Sequence, residues 1–224
     1  MEPISHEILT GKTEVHLIQF RKTQLLVHKE VLAPLDNLFS TARAIRGFDL
    51  KIASSFRSYE SQKNIWNAKA TGQKPIFDDY GQPVDISRLS SEEIAFAILR
   101  WSAVPGASRH HWGTDFDFFD VSSVHESYQL KLSPSEYLRG GVFEESNQWL
   151  TENMTELGFF RPYSVDKNGI APEPWHLSFK SLADEYLKAF SFEVFEKHLL
   201  KSDFALIEFL RKNVVQIYER FVLI

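Results

Sequence analysis

The chain has 224 residues, of which 43% are hydrophobic and 25% charged, with a formal net charge of −5 and no cysteine. That length and balance suit one well-filled domain with decorations, or at most two small ones, and exclude a disordered chain. The lack of cysteine removes disulfides and thiolate metal sites, and the scattered lysines and arginines form no basic stripe for nucleic acid.

The first residues, MEPISHEILTGK, show neither a basic n-region nor an uninterrupted apolar h-region. No apolar run approaches the roughly 18 residues of a spanning helix. The expectation is a cytoplasmic protein without a membrane span, or a periplasmic one if a leader has been trimmed.

Two β-rich runs, VHLIQF and QLLVH, are separated by the polar RKT and predict a hairpin over 14–28. Leu35, Leu38, Phe39, Ala42 and Ile45 then recur at helical spacing behind Pro34, and Gly47 stands where a glycine would end that helix. DLKIASSF predicts a strand, and a helix follows from near Ser58 to Gly72. After a loop with two prolines, Ser90 and Glu93 form a capping box ahead of Ile94, Ala97, Ile98 and Trp101.

SRHHWGTDFDFFD, Ser108 to Asp120, predicts a turn and then a strand. An irregular connection is expected over 121–141, then a helix near 144–157, a strand in FFRPY and a last strand starting around Trp175. From Ser181 the pattern is helical and rich in apolar residues, notably Leu206, Phe209, Leu210, Ile217 and Phe221. Such a tail either packs on the domain or self-associates, and packing is the preferred expectation.

In TDFDFFD, Asp115 and Asp117 alternate with Phe116 and Phe118, the period of a strand buried on its phenylalanine side. Both carboxylates then face away from that layer, where charge must be solvated or paired. His110 precedes Asp117 with Gly113 between them, so a tight turn can bring imidazole and carboxylate to one ion. Taken alone, the two read equally as an ordinary hydrogen-bonded pair.

EPWH, Glu173 to His176, adds the missing parts. Hydrolysis at zinc needs about three protein ligands, an open position for water and a nearby carboxylate that takes the water's proton. His110, Asp117 and His176 would be the ligands and Glu173 the base. A regular strand would set Glu173 and His176 on opposite sides, but Pro174 breaks the ladder and permits them to converge.

SRHHWGTDFD and EPWH resemble the S-x-H-x-x-G-x-x-x-D and E-x-x-H motifs of the D-alanyl-D-alanine carboxypeptidase (VanY-like) zinc peptidases, within the wider group of lysostaphin-type peptidases and the hedgehog signalling domain. SSFRSYESQ resembles the family's Y-R-S-x-x-x-Q segment, with Phe56 in the tyrosine position. The three motifs occur in the family's order over roughly residues 31 to 180.

The resemblance implies one zinc ion on His110, Asp117 and His176, with Glu173 as catalytic base. It implies that Arg57 polarises the scissile carbonyl and holds the peptide, and that Gln62 and Ser108 line the substrate-end pocket. Trp175 is a further substrate-binding candidate that can equally fill the core. The family often has alanine where this chain has Asp115, which reads as a partner behind a ligand, a pocket charge or, the preferred expectation, a solvated carboxylate. His111 is expected to point elsewhere than the metal, and His6, His16, His28, His125 and His198 have no partner motif.

The implied fold is α+β, a small antiparallel sheet flanked by helices with zinc at its open face. The expected organisation is a hairpin extension over 1–30, the peptidase domain over 31–180 with an insertion at about 73–104, and a helical extension over 181–224. The implied reaction removes a terminal D-alanine from a peptidoglycan stem peptide, and a muropeptide is the expected partner. In the cytoplasm an L,D-carboxypeptidase acting on recycled tetrapeptides is preferred to a D,D-carboxypeptidase acting on pentapeptides. A zinc-fold binding module without turnover, and an endopeptidase such as a phage lysin, are the remaining alternatives. Nothing in the sequence sets the oligomeric state.

Overall fold

The computed structural model describes residues 4–223; the ends of the two expected extensions, residues 1–3 and 224, lie outside them. After a single turn, α1 (His6–Leu9), the chain forms the hairpin β1 (Leu17–Gln19) and β2 (Leu26–His28). The helix α2 (Leu32–Arg46) ends on Gly47, as its spacing predicts, and leads into β3 (Leu50–Ser54). Ser58 caps α3 (Tyr59–Ala70), and the Ser90–Glu93 capping box starts α4 (Ser91–Leu99).

The strand predicted in the aspartate-rich stretch is β4 (Asp115–Asp120). FFRPY is shorter than expected: β5 covers only Phe159–Phe160, and Pro162 supplies no amide to extend it. The last strand is β6 (His176–Phe179). The four strands form an antiparallel sheet in the order β3-β4-β6-β5, so the fold is α+β as expected.

Alternation divides this sheet into two faces of opposite chemistry. Phe116, Phe118 and Leu177 are fully buried against Leu35, Leu38, Phe39 and Ala42 of α2 and against Trp149 and Leu150 of α6 (Glu144–Asn153). Each such side chain contributes about 1.5–3 kcal/mol by leaving water. Asp115, Asp117, His176 and Ser178 share the other face, with Asp117 directly across from His176 and Asp115 across from Ser178.

That second face is not solvated. Asp115 is 0% exposed and Asp117 4%, because the 3₁₀ turn Arg109–Trp112 folds back over them. The expectation of a solvated Asp115 is therefore corrected: β4 is buried on both faces, and Asp115 is paired with Arg109 instead.

The connection over 121–141 contains one ordered turn, α5 (Pro134–Tyr137), which Ser133 and Glu136 start with a second capping box. The Tyr137 hydroxyl donates to the Phe118 carbonyl at 2.6 Å. Within the region 73–104, Arg100 pairs with Asp79 at 2.7 Å and with Asp166, tying it to the loop before EPWH.

The C-terminal residues form α7 (Lys180–Ala189), α8 (Phe192–Lys201), α9 (Ile207–Lys212) and α10 (Val214–Phe221). Their Phe195, Leu199, Leu210, Ile217 and Phe221 are buried in one cluster with Trp66 of α3 and Ile98 and Leu99 of α4. Trp66 Nε1 donates to the Ala205 carbonyl at 2.7 Å. His198 reaches the turn before Ser108: its Nε2 lies 2.9 Å from the Pro105 carbonyl and 2.0 Å from where a Cβ on Gly106 would stand. No helix among the described residues is long and apolar enough to cross a membrane.

Candidate metal centre and active site

Strand pairing sets Asp117 beside His176, and the 3₁₀ turn brings His110 over both. The turn closes at Gly113, whose φ is +70° and whose carbonyl accepts from the His28 amide at 2.8 Å. A Cβ there would stand 2.4 Å from Leu17 and 2.8 Å from the His28 nitrogen, so only glycine lets the hairpin approach. Loop 55–57 is pinned by the same hairpin, through the Phe56 amide and the Leu26 carbonyl.

One ligand atom each from His110, Asp117 and His176 lies within 4.8 Å of the others, and all three residues are buried. His110 Nε2 is 3.5 Å from Asp117, and His176 Nδ1 is 3.4 Å from Asp117 and 3.3 Å from Glu173. Pro174 does what the sequence permits, and Glu173 and His176 converge.

Hydrogen bonds on the outer side fix which nitrogen of each ring faces the centre. His110 Nδ1 is 2.8 Å from the Ser55 carbonyl, which can only accept, so Nδ1 carries the proton and Nε2 keeps its lone pair. His176 Nε2 donates to Asp115 at 2.9 Å, which leaves Nδ1 for the centre. Asp115 is held in turn by Arg109 Nε at 2.8 Å and the Thr114 hydroxyl at 2.7 Å. The carboxylate that the sequence leaves unassigned is thus the partner that orients a ligand.

The centre also has the charge and vacant bonding capacity that a cation satisfies. Asp117 Oδ1 and His176 Nδ1 are buried without a hydrogen-bond partner among the described residues. Such groups are costly unless something binds them. Asp115, Asp117 and Glu173 surround His176, and among the described residues Asp115 alone of the three is in direct contact with a guanidinium, so the carboxylates turned toward the centre have no fixed counter-charge and favour a cation there. Two imidazoles and a carboxylate are a donor set that suits zinc.

Electrostatics agree. Burial holds the His110 imidazole down to about 4, so it stays neutral, as a ligand must be. Burial opposes charge on His176 as well, yet the carboxylates around it push it well above the usual imidazole range. Burial raises the Glu173 carboxyl, with partial offset from His176. A carboxyl displaced upward is suited to take and return a proton.

Arg57 enters from the loop after β3. Its guanidinium donates to Gln62 Oε1 at 2.9 Å and Ser54 Oγ at 3.1 Å, and no carboxylate among the described residues pairs with it. Its amide donates to the His110 carbonyl at 3.1 Å, and its carbonyl takes the Nδ1 proton of His111. His111 Nε2 accepts from the Gly106 amide at 3.0 Å. His111 is therefore a buried neutral brace for the backbone of Arg57, fully enclosed and without access to substrate.

Gln62 is 0% exposed, and its amide is committed to Arg57 and to the Ala103 carbonyl at 2.8 Å, so it orients Arg57 from behind. Ser108 is buried, and its hydroxyl has no hydrogen bond among the described residues, which leaves it free for a ligand. Trp175 fills the core, 5% exposed, stacked on Trp101 at 6.4 Å and packed on Tyr137.

Sequence reasoning missed Tyr163, whose ring stands edge-on to His176 at 4.9 Å and whose carbonyl accepts the Glu173 amide at 2.9 Å. Reading FFRPY as strand hid it. It also missed Arg109, which follows the motif serine and looks like a surface cation.

A buried triad of metal ligands on an antiparallel sheet, with a carboxylate and a free guanidinium beside it, defines the centre of a metal-dependent hydrolase. The chain belongs to the VanY D-alanyl-D-alanine carboxypeptidase family, whose model matches residues 24–182. It is thus a VanY-like carboxypeptidase. It is 39% identical over 93 residues to an uncharacterised protein of Haemophilus influenzae, a match covering 41% of this chain and 71% of that one.

Among solved structures it is similar to the vancomycin-resistance D,D-pentapeptidase VanY in complex with Zn(II), with a TM-score of 0.54 and 24% identity over 88% of this chain and 89% of that one. The LdcB LD-carboxypeptidase has a TM-score of 0.54 and 21% identity, covering 90% of this chain and 80% of that one. At these identities the likeness shows the fold.

Proposed function

We infer that this chain is a zinc-dependent carboxypeptidase that releases the terminal D-alanine of peptidoglycan stem peptides. The observation that carries this reading is the convergence of His110 Nε2, Asp117 and His176 Nδ1 with Glu173. A D-alanyl-D-alanine family and a D,D- and an L,D-enzyme of the same fold support the substrate class.

His110, Asp117 and His176 would hold the zinc, which when bound supplies Lewis acidity and lowers the pKa of water toward about 7. Glu173 takes the proton of the attacking water. As water oxygen bonds to the scissile carbonyl carbon and the C–N bond breaks, Glu173 passes that proton to the departing amine. Arg57, braced by Gln62 and Ser54, faces the oxygen on which negative charge develops. The cleft bounded by Trp101, Arg161, Tyr163, Pro172 and Pro174 provides a route for the rest of the peptide beside the His176 ring.

Within that class we favour an L,D-carboxypeptidase that acts in the cytoplasm on tetrapeptides recovered from the wall. In that compartment, trimming a pentapeptide precursor removes the bond that later cross-linking uses, whereas trimming a tetrapeptide prepares it for reuse. D,D-cleavage is the second reading, favoured by the description of the family itself.

Purified tetrapeptide and pentapeptide muropeptides, incubated with zinc-loaded protein with and without chelator and followed by mass, decide between them. The expected result is chelator-sensitive loss of one alanine from tetrapeptide. Cleavage of pentapeptide alone rejects the L,D choice, and an inert but metal-loaded protein rejects the carboxypeptidase reading.

A further inference from the structure

Tyr163 stands where the metal centre meets the cleft. Its ring lies edge-on to His176 with 4.9 Å between centroids, and its carbonyl accepts the Glu173 amide at 2.9 Å. The same residue borders, with Trp101, Arg161 and Pro174, a cavity of about 530 Å³. Side chain and backbone together therefore fix Tyr163 against a metal ligand, the base and the open groove at once.

Its hydroxyl is unspent. Tyr137, a tyrosine of similar burial, gives its hydroxyl proton to the Phe118 carbonyl at 2.6 Å. The Tyr163 hydroxyl has no such partner among the described residues, although only 7% of the residue is exposed, and it is not one of the fully enclosed polar atoms left unpaired. The part of Tyr163 that remains open thus includes the hydroxyl, and the open space that the residue lines is the cleft. A phenol keeps its proton to about pH 10, so at neutral pH this group is a donor whose acceptor has to come from a ligand.

On the carboxypeptidase reading above, the acyl side of the substrate lies in this cleft and Arg57 meets the oxygen of the scissile carbonyl. The peptide then continues at about 3.3 Å per residue. The next acceptor along it is the carbonyl that acylates the amino group of the residue before the scissile bond. We propose that the Tyr163 hydroxyl donates a hydrogen bond to that acyl carbonyl and so aligns the peptide for attack. The proposal rests on the carboxypeptidase reading and makes Tyr163 a specificity-determining residue. A free dipeptide lacks this acceptor, so the contact favours a longer peptide.

The test uses the zinc-loaded full chain and two peptides ending in D-alanine. One carries an acylated amino group on the residue before the scissile bond, and in the other that acylamino group is replaced by hydrogen. The wild type should prefer the acylated peptide in kcat/KM. Tyr163→Phe keeps the ring on His176 and removes only the hydroxyl, so zinc content by elemental analysis should hold. In this variant the preference should shrink by roughly 5- to 50-fold. The change should fall mainly on KM, because the acyl carbonyl carries the same charge before and during bond breaking. A preference that survives in Tyr163→Phe overturns the proposal, whether both peptides lose activity equally or neither does.

Calorimetric binding of the same peptides to zinc-loaded Glu173→Gln protein separates this proposal from the reading beneath it. Tighter binding of the acylated peptide that disappears when Tyr163→Phe is added supports the contact, even if no turnover is found and the function reading falls. Turnover of both peptides without a difference in binding leaves the function reading standing and overturns the contact, as does binding of neither peptide.

Discussion

The two regions that supply the active site are held in place by different means. The β4–β6 ladder carries Asp117 and His176, whose positions follow from main-chain pairing along both strands. The loops over 54–57 and 172–175 carry Arg57 and Glu173, and their positions follow from side chains that grip main-chain atoms. His111 takes the Arg57 carbonyl, and Arg161 Nε donates to the Pro174 carbonyl at 2.8 Å while Nη2 donates to Asn147 Oδ1 at 2.7 Å. Asp117 and His176, two of the three groups that would hold a cation, sit on the ladder with His110 on the 3₁₀ turn folded over it, and groups that must meet changing charge sit on braced loops. Damage to the ladder side should therefore appear as lost metal, and damage to the loop side as lost turnover.

The largest expected effect is on the loop side. Glu173→Gln should lower kcat by roughly 10²- to 10⁴-fold, because the water's proton has no acceptor. Metal content by elemental analysis should stay at the wild-type level, since Glu173 is not among the three clustered ligands. Loss of zinc together with activity would move Glu173 into the ligand set and erase the distinction.

Asp115→Asn tests the ladder side at one remove. The imidazole of His176 then loses its carboxylate acceptor, and Arg109 loses its counter-charge. Metal affinity, measured by chelator competition, should fall about 10- to 100-fold, while residual activity at saturating zinc stays substantial. Unchanged affinity would show that ring orientation is set by packing alone.

The smallest effect is expected from Arg161→Met, which releases the Pro174 carbonyl and lets the base shift. The predicted result is a fall in kcat on the order of 10-fold with full metal occupancy. If this variant sheds zinc as readily as Asp115→Asn, the loop and the ladder behave as one unit and the comparison fails.

How much of this could be read in advance follows the same division. The convergence of His110, Asp117, Glu173 and His176 is legible through the family resemblance of the motifs that carry them, and β4 is legible because Asp115 to Phe118 alternate. Alternation tells which face a side chain takes but not what lies above that face. Hence Asp115 looked solvated, although Arg109, six residues earlier in the chain, folds back to pair with it.

Capping chemistry is equally local: Ser90 and Glu93 announce α4 ahead of an apolar helical run, whereas the same signal at Ser133 and Glu136 starts a single turn with no such run behind it. Tyr163 has no local signal at all. A tyrosine after proline acquires its meaning only from what the fold places opposite it.

His198 and Gly106 have a consequence for how the chain can vary. The imidazole occupies the space that any side chain at 106 would need, and it holds the Pro105 carbonyl of the turn that delivers Ser108 and His110. A helix beyond the family-matched segment therefore acts as the mould for a turn inside it. The two positions form one heritable unit, and a relative with a bulkier residue at the turn must also carry a different tail.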